Sequence, residues 1–383
     1  MRALIDYRAA LRDRTGVGEY THELVRALLA AFPPGAENNP LELTLFTSSW
    51  KDRLRRDEAL AGAATVDRRV PVRVLNYAWH RLEWPSAEVI AGRAFDITHS
   101  LHPLLLPARD AAQVVTIHDL DFLTRPDRTR AEIRRDYAPL ARDHARRADA
   151  VIVVSHFTAR QVERQLGVEP EHLVVCSPGA PDWTPRARPP TSGYILFFGT
   201  LEPRKNVSGL LDAYEWLLNS PSDRAGGRPG ALPDLVLAGR ATEAARPWLE
   251  RIARAPLAGH VRHIGYVDPS NRRALYDGAR LLVQPSFEEG FGLPVLEAMT
   301  VGVPVVAANR GALPEVLGDA GPLVEPEDAE AIGAAMRRLI EDEAWAGACA
   351  AKGVIRAREF RWDRTARQVY SAYEYAMRRR HLR

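Results

Sequence analysis

The stretch "PSFEEGFGLPVLEAM", residues 285–299, decides how the rest of the chain is read. It follows the apolar run "RLLVQ" (280–284), which has the composition of a buried strand, and it passes through Gly290 and Gly292 into a helix-like segment. Pro294 suits the first turn of a helix, so the helix is expected to begin near Gly292 or Leu293. The N–H groups of Gly290, Phe291, Gly292 and Leu293 should then be available to an anion. Strand, glycine turn and helix in that order form the unit of a parallel α/β sheet. Carboxylates bracket the turn: Glu288 and Glu289 before it, Glu297 about one helical turn after it. Carboxylates repel phosphate and accept hydrogen bonds from hydroxyls. A ligand that suits both the turn and its carboxylates carries phosphate and hydroxyl-rich rings, as a nucleotide sugar does.

The same alternation runs along the whole chain. "LELTLF" (41–46), "QVVTI" (113–117), "AVIVVS" (150–155) and "HLVVC" (172–176) are separated by helix-length amphipathic segments. Residues 181–193, "PDWTPRARPPTSG", hold four prolines and no periodicity, which reads as a linker. The pattern restarts with "YILFFG" (194–199), "DLVLAG" (234–239), "VRHIGYV" (261–267) and "VPVVAAN" (303–309). At 383 residues the chain exceeds the usual size of one core. Two doubly wound α/β domains facing across a cleft are expected, over 1–180 and 194–361.

Composition narrows the function class. No apolar run approaches the roughly 18 residues of a membrane span, and the N-terminus is broken by Asp6, Arg8, Arg12 and Asp13, so no signal-peptide core is read. Cys176 and Cys349 stand far apart, which leaves no disulfide framework and no cysteine zinc site. A reducing, cytoplasmic residence fits. A net charge of +3 is too small to argue for nucleic acid. The basic stretch 125–147 is interrupted by acids and reads as a solvated helix face, with peripheral docking on an anionic membrane as the second reading.

Other polar stations fall at strand ends, where such sheets bind ligands. "RTGVGEYTHEL" places Gly16, Val17 and Gly18 ahead of an amphipathic helix; it is either an anion-approaching loop or a plain tight turn. It lacks the third glycine of a dinucleotide fingerprint, which disfavours a nicotinamide enzyme. His118 and Asp119 directly follow a buried-looking strand. His99 and His102 follow another, in a spacing that suits a substrate-lining or structural role rather than a metal. "FFGTLEPRKN" carries Arg204 and Lys205 after Gly199 and Thr200, an anion-seeking spot whose alternative is solvated surface charge. Gly239 with Arg240 repeats that theme.

With their order and spacing, these residues resemble the family 4 retaining glycosyltransferases, whose fold is called GT-B, and among them bacterial polysaccharide mannosyltransferases. "EEGFGLPVLEAM", "GVPVVAANRGALPEVLGDAGPLVEPED", "GTLEPRKN", "HIGYV", "VSHFTARQV" and "GVGEYTHEL" carry the resemblance across nearly the whole chain. It implies that Glu289 lies by the donor sugar and that Glu297 takes the ribose hydroxyls, which leaves Glu288 as a neighbour. Arg204 and Lys205 would grip the diphosphate, assisted by the amides around Phe291 and Gly292. His118 would lie near the transferring carbon, the loop at Gly16–Gly18 near the diphosphate and acceptor, and Gly265 and Tyr266 against the nucleobase. Thr200 departs from the family, where an arginine often follows the glycine; Arg204 would then serve both jobs.

The implied reaction moves a hexose from a nucleoside diphosphate sugar, GDP-mannose first and a UDP sugar second, to a hydroxyl of a glycan, glycolipid or lipid-linked acceptor. No cofactor is expected. No metal is expected either, because the "DLD" at 119–121 belongs to the His118 loop and the cations at 204 and 205 take a metal's place. Closure of the two domains should assemble the site. The segment 362–383 is expected to form a helix that returns to the N-terminal domain.

Overall fold

A computed structural model describes residues 1–11, 14–36, 39–54, 57–124, 137–190, 192–220 and 232–382. The first part of the basic stretch, residues 125–136, lies outside them. The chain divides into two compact units, Met1–Gly179 with Arg361–Arg383, and Ala180–Phe360. Residues 181–193 therefore fall inside the second unit.

The first unit is built on a seven-stranded sheet: β1 (Arg2–Asp6), β2 (Glu42–Ser48), β3 (Ala64–Arg68), β4 (Ile97–Ser100), β5 (Ala112–Ile117), β6 (Ala150–Val153) and β7 (Leu173–Val175), in the order β3-β2-β1-β4-β5-β6-β7. Its strands pair in parallel, as in Val114 with Ala150 and Ile5 with His99. β4, β5 and β6 are almost completely buried, which suits the apolar or β-branched residues that make up β6 and most of β5. Crossovers include α1 (Val17–Ala31), α2 (Val72–Tyr77), α3 (Ala87–Ala91) and α4 (His156–Leu166). α1 buries Tyr20, Leu24 and Leu28, a stripe at helical spacing.

The second unit holds β8 (Tyr194–Phe198), β9 (Leu235–Ala238), β10 (Val261–Gly265), β11 (Ala279–Gln284), β12 (Val305–Ala308) and β13 (Leu323–Val324), all parallel, in the order β10-β9-β8-β11-β12-β13. Counted from its own first strand this is 3-2-1-4-5-6, the same order as the first six strands of the other unit. Such an order reverses direction between its first and fourth strands, and the crevice there is where these sheets bind ligands. In the second unit those neighbours are β8 and β11; in the first they are β1 and β4. The core of the second unit packs α5 (Val207–Asn219) against the sheet through Leu210, Leu211 and Tyr214. α6 (Pro269–Asp277), α7 (Leu293–Val301) and α8 (Ala329–Glu341) follow.

The chain enters and leaves the second unit side by side, with the N–H of Ala180 donating to the carbonyl of Phe360 at 2.9 Å. It then forms α9 (Trp362–Leu382), which buries Ala366, Val369, Tyr373 and Ala376 in the first unit against α1, β5 and β6.

Candidate active site

The second unit gathers its charged residues at the point where its strand order reverses. The segment after β8 makes a 3-10 turn, Pro203–Lys205, that ends on Asn206 in the left-handed region at φ 54. Asparagine tolerates that conformation, and here its side chain both caps α5 by accepting from the N–H of Gly209 and donates to the carbonyl of Pro326. The turn aims Lys205 inward, where it is only 7% exposed. The segment after β11 is stitched to it, because the N–H of Phe287 donates to the Arg204 carbonyl at 2.8 Å. Gly292, at φ 109, caps α7, which begins at Leu293 as its sequence requires.

The two segments meet at Glu289. Its Oε1 accepts from Lys205 Nζ at 2.5 Å, from Gln284 Nε2 at 2.9 Å and from Ser286 Oγ at 2.9 Å. Arg204 Nη1 stands 3.6 Å from Oε2, while its Nε donates to Glu202 at 2.6 Å. Burial alone would raise the Glu289 carboxyl; the charges of Lys205 and Arg204 outweigh it and hold the group down at about 2. Burial and the Arg204 charge work against the Lys205 ammonium, and Glu289 opposes both. The result is a preformed ionic cluster in which Oε1 is saturated by three donors and Oε2 is the oxygen left to accept. Glu288 contributes its backbone carbonyl, which accepts from Arg204 Nη1 at 3.3 Å.

Glu297, one turn inside α7, is 7% exposed and anchored on both oxygens. Tyr276 Oη donates to Oε2 at 2.7 Å and Arg272 Nη1 to Oε1 at 3.2 Å. Both partners come from the buried stripe of α6, and Tyr276 is itself wedged between the rings of Trp183 and Phe198. Gly199, Gly239 and Gly265 form a row across the ends of β8, β9 and β10: the Gly199 N–H donates to the Ala238 carbonyl, and the Gly239 N–H to that of Gly265. A Cβ on Gly239 would stand 2.0 Å from the Gly199 carbonyl oxygen, so only glycine lets these strand ends touch. Beside the row, the Arg240 guanidinium lies 5.0 Å over the Tyr266 ring, while Thr200 continues from Gly199.

The first unit combines a neutral histidine beyond β5 with an ion pair at its reversal point. His118 follows β5 and packs edge-on against Tyr20 of α1, with ring centroids 4.8 Å apart. Burial is the main force that depresses its pKa to about 4, so the ring is neutral near pH 7. Its Nε2 is buried without a hydrogen-bond partner, and in a neutral imidazole one nitrogen can accept from a hydroxyl while the other can donate to one. Asp119 accepts from the N–H of Asp121 at 3.3 Å. His99 is structural: fully buried, it bonds Tyr373 of α9 at 2.7 Å and Thr116 at 2.8 Å. At the reversal point of this sheet, Arg8 grips Asp6 with two hydrogen bonds of 2.8 and 2.7 Å, and His102 Nε2 stands 3.4 Å from the same carboxylate. Gly16 starts α1 at φ 39, Val17 is 37% exposed, and the N–H of Gly18 closes back on Thr15.

Sequence reasoning did not find Gln284, Ser286, Tyr276, Arg272 or the Asp6–Arg8 pair. One signal was present for Arg272, a charged residue on the same helical stripe as Leu275 and Tyr276. Gln284 carried another, as an amide closing an otherwise apolar strand.

Comparison with known proteins agrees with this geometry. Residues 14–182 match the model described as Glycosyltransferase Family 4, and residues 192–342 the one described as Glycosyl transferases group 1. The chain is 32% identical to O-antigen chain mannosyltransferase B of Escherichia coli, over 94% of this chain and 96% of that protein. The chain belongs to the family 4 glycosyltransferases. Solved GT-B structures share its fold: sucrose-phosphate synthase from Thermosynechococcus elongatus has a TM-score of 0.75 at 20% identity, covering 98% of each chain. An Anabaena protein crystallised with UDP and glucose has a TM-score of 0.65 at 16% identity, covering 97% of this glycosyltransferase and 98% of its own chain.

Proposed function

We propose that this glycosyltransferase moves a hexose, mannose in the first instance, from a nucleoside diphosphate sugar to a hydroxyl of a glycan, glycolipid or lipid-linked acceptor, with the anomeric configuration retained. The observation that carries the reading is the buried cluster of Lys205, Arg204 and Glu289 where the donor-side sheet reverses. In transfer, negative charge builds on the departing diphosphate and the sugar ring gains oxocarbenium character. Arg204, Lys205 and the start of α7 meet the first of these, and cations fixed in advance lose little energy to reorganisation. This reading assigns no step to a metal. Glu289 Oε2 accepts from a hydroxyl of the transferred sugar, and Glu297, held by Tyr276 and Arg272, accepts from the ribose. His118, neutral and with Nε2 lacking a hydrogen-bond partner in the protein, bonds a further hydroxyl. The diphosphate itself takes the proton of the acceptor hydroxyl on the face it leaves, so the new bond forms where the old one breaks.

Mannose is favoured by the Escherichia coli relative, named a mannosyltransferase; a UDP sugar is the second choice, after the Anabaena protein bound to UDP and glucose. Thermal shift with GDP-mannose, UDP-glucose and an ADP sugar separates them. The true donor at 100 times its dissociation constant stabilises by about 2.7 kcal/mol. An equal response to all three would defeat the assignment of a base preference. Sugar release with no acceptor present, at the rate seen with one, would mark a hydrolase instead.

A further inference from the structure

The imidazole of His118 depends on packing for its orientation. Its backbone carbonyl accepts from Thr158 Oγ1 at 3.4 Å, which steadies the chain beyond β5, but Nε2 has no hydrogen-bond partner in the protein. The last torsion of a histidine is broad, so a ring with an unpartnered nitrogen keeps one orientation only where neighbouring atoms close off the others. The neighbour here is Tyr20, whose ring meets that of His118 edge to face, at 4.8 Å between centroids and 82° between planes. Aromatic pairs favour this arrangement, because the positive edge of one ring lies against the negative face of the other.

Tyr20 is itself placed by two elements. It lies in the first turn of α1, only 1% exposed, where its N–H donates to the Gly16 carbonyl at 3.0 Å. The Trp362 indole, at the start of α9, stands 5.8 Å from the Tyr20 ring and tilted by 55°. Gly179, the last residue before the chain leaves the first unit, admits that indole. A Cβ at position 179 would stand 2.3 Å from the Trp362 backbone nitrogen and 2.5 Å from its Cγ, atoms that a side-chain rotation cannot move out of the way. Only glycine lets the returning chain close up there. Gly179, Trp362, Tyr20 and His118 thus form a row of contacts that ends on the unpartnered nitrogen.

We propose that Tyr20, backed by Trp362, is a positioning residue for the transfer reaction: the two rings fix the His118 imidazole so that it meets substrate in a single orientation. The inference rests on the reading in which His118 bonds a substrate hydroxyl. Tyr20 is buried and acts through His118, and Trp362 acts one ring further back. A group misplaced by about 1 Å can cost about 100-fold in rate, which sets the size of the effect.

The test joins steady-state transfer by the full chain to NMR of protein carrying isotope-labelled histidine, the His118 signal being assigned by its loss in His118→Gln. Tyr20→Leu should lower kcat by about 100-fold, and Trp362→Leu or Gly179→Ala by about 10-fold, with donor KM little changed because the residues that grip the donor are untouched. Tyr20→Phe keeps the ring and removes a hydroxyl that is buried without a hydrogen-bond partner, so it should restore the rate. Trp362→Leu and Gly179→Ala, which do not touch His118, should shift or broaden its signal. In a His118→Gln background, Tyr20→Leu should cost nothing further. Melting temperatures confirm that each rate is read on folded protein. A His118 signal unmoved in both Trp362→Leu and Gly179→Ala overturns the proposal, as do losses from Tyr20→Leu and His118→Gln that multiply; the rings would then be core packing alone. His118→Gln transferring at the wild-type rate would overturn the reading of His118, and the positioning role with it. That rate tells the two failures apart.

Discussion

The two units share a strand order and differ in how they treat charge. In the second, the reversal point is filled by ion pairs made before any substrate arrives: Lys205 with Glu289, and Arg272 with Glu297. In the first, the Asp6–Arg8 pair fills the reversal point as well, and the contrast lies beyond β5, where the group is a neutral histidine with one nitrogen unpartnered. On the proposed function, one scaffold then serves two kinds of ligand group: a diphosphate, which suits fixed cations that need carboxylates to be tolerated when buried, and a hydroxyl, which a neutral ring can bond.

The sharpest way to break this contrast is Arg204→Ala with Lys205→Ala. Donor turnover should fall by about 10,000-fold, since one preorganised charge donor is worth roughly 100-fold or more; turnover near normal would refute the ionic half of the comparison. The same change strands Glu289, and a buried charge without its partner costs about 3–5 kcal/mol, so calorimetry should show a lower melting temperature. Acid should act on the neutral half. His99 and His118 are held at about 3 and about 4, against 6.5 for a free histidine. Below pH 6.5 the unfolded chain takes up protons that the folded unit refuses, so stability falls as pH drops from 6.5 toward 4, by about 3 kcal/mol per histidine at full effect. Denaturant midpoints between pH 7 and 4.5 measure it, and His99→Gln should flatten the curve; an unchanged curve would mean His99 is not the neutral buried group described.

Smaller effects sharpen the carboxylate assignments. Glu289→Gln should cost about 100-fold in kcat while Glu288→Ala stays within about 2-fold; equal losses would show that the register of the motif is misread. Tyr276→Phe should raise the KM for donor by about 10-fold with kcat little changed, because it frees the Glu297 carboxylate without touching the reacting bond. A fall in kcat with KM unchanged would move Tyr276 out of ribose binding.

How much of this was legible in the sequence depended on burial. β5, β6, β8, β9 and β11 were readable because they are largely covered on both faces and had to be mostly apolar. β3 was not, since an edge strand with almost every side chain at least partly exposed carries no apolar signature. Cations and carboxylates at strand ends stood out because charge beside a glycine turn is conspicuous. The residues that hold them did not. Tyr276 looks like any core aromatic until its hydroxyl is seen to end on Glu297, and that pairing spans 21 residues of chain. Lys205 and Glu289 lie 84 residues apart, so their mutual neutralisation belongs to the folded sheet.

The adjacency of Ala180 and Phe360 has a consequence for synthesis. The second unit is one uninterrupted length of chain, whereas the first is split, and its closing helix is made after the whole of the second. As the ribosome works, the N-terminal unit waits with Tyr20 and His99 lacking Trp362 and Tyr373, while the later unit has all its residues first. The first unit can therefore be completed only after the second has been synthesised. A purified chain truncated before residue 362 should hold a finished second unit and an unfinished first, read by hydrogen exchange.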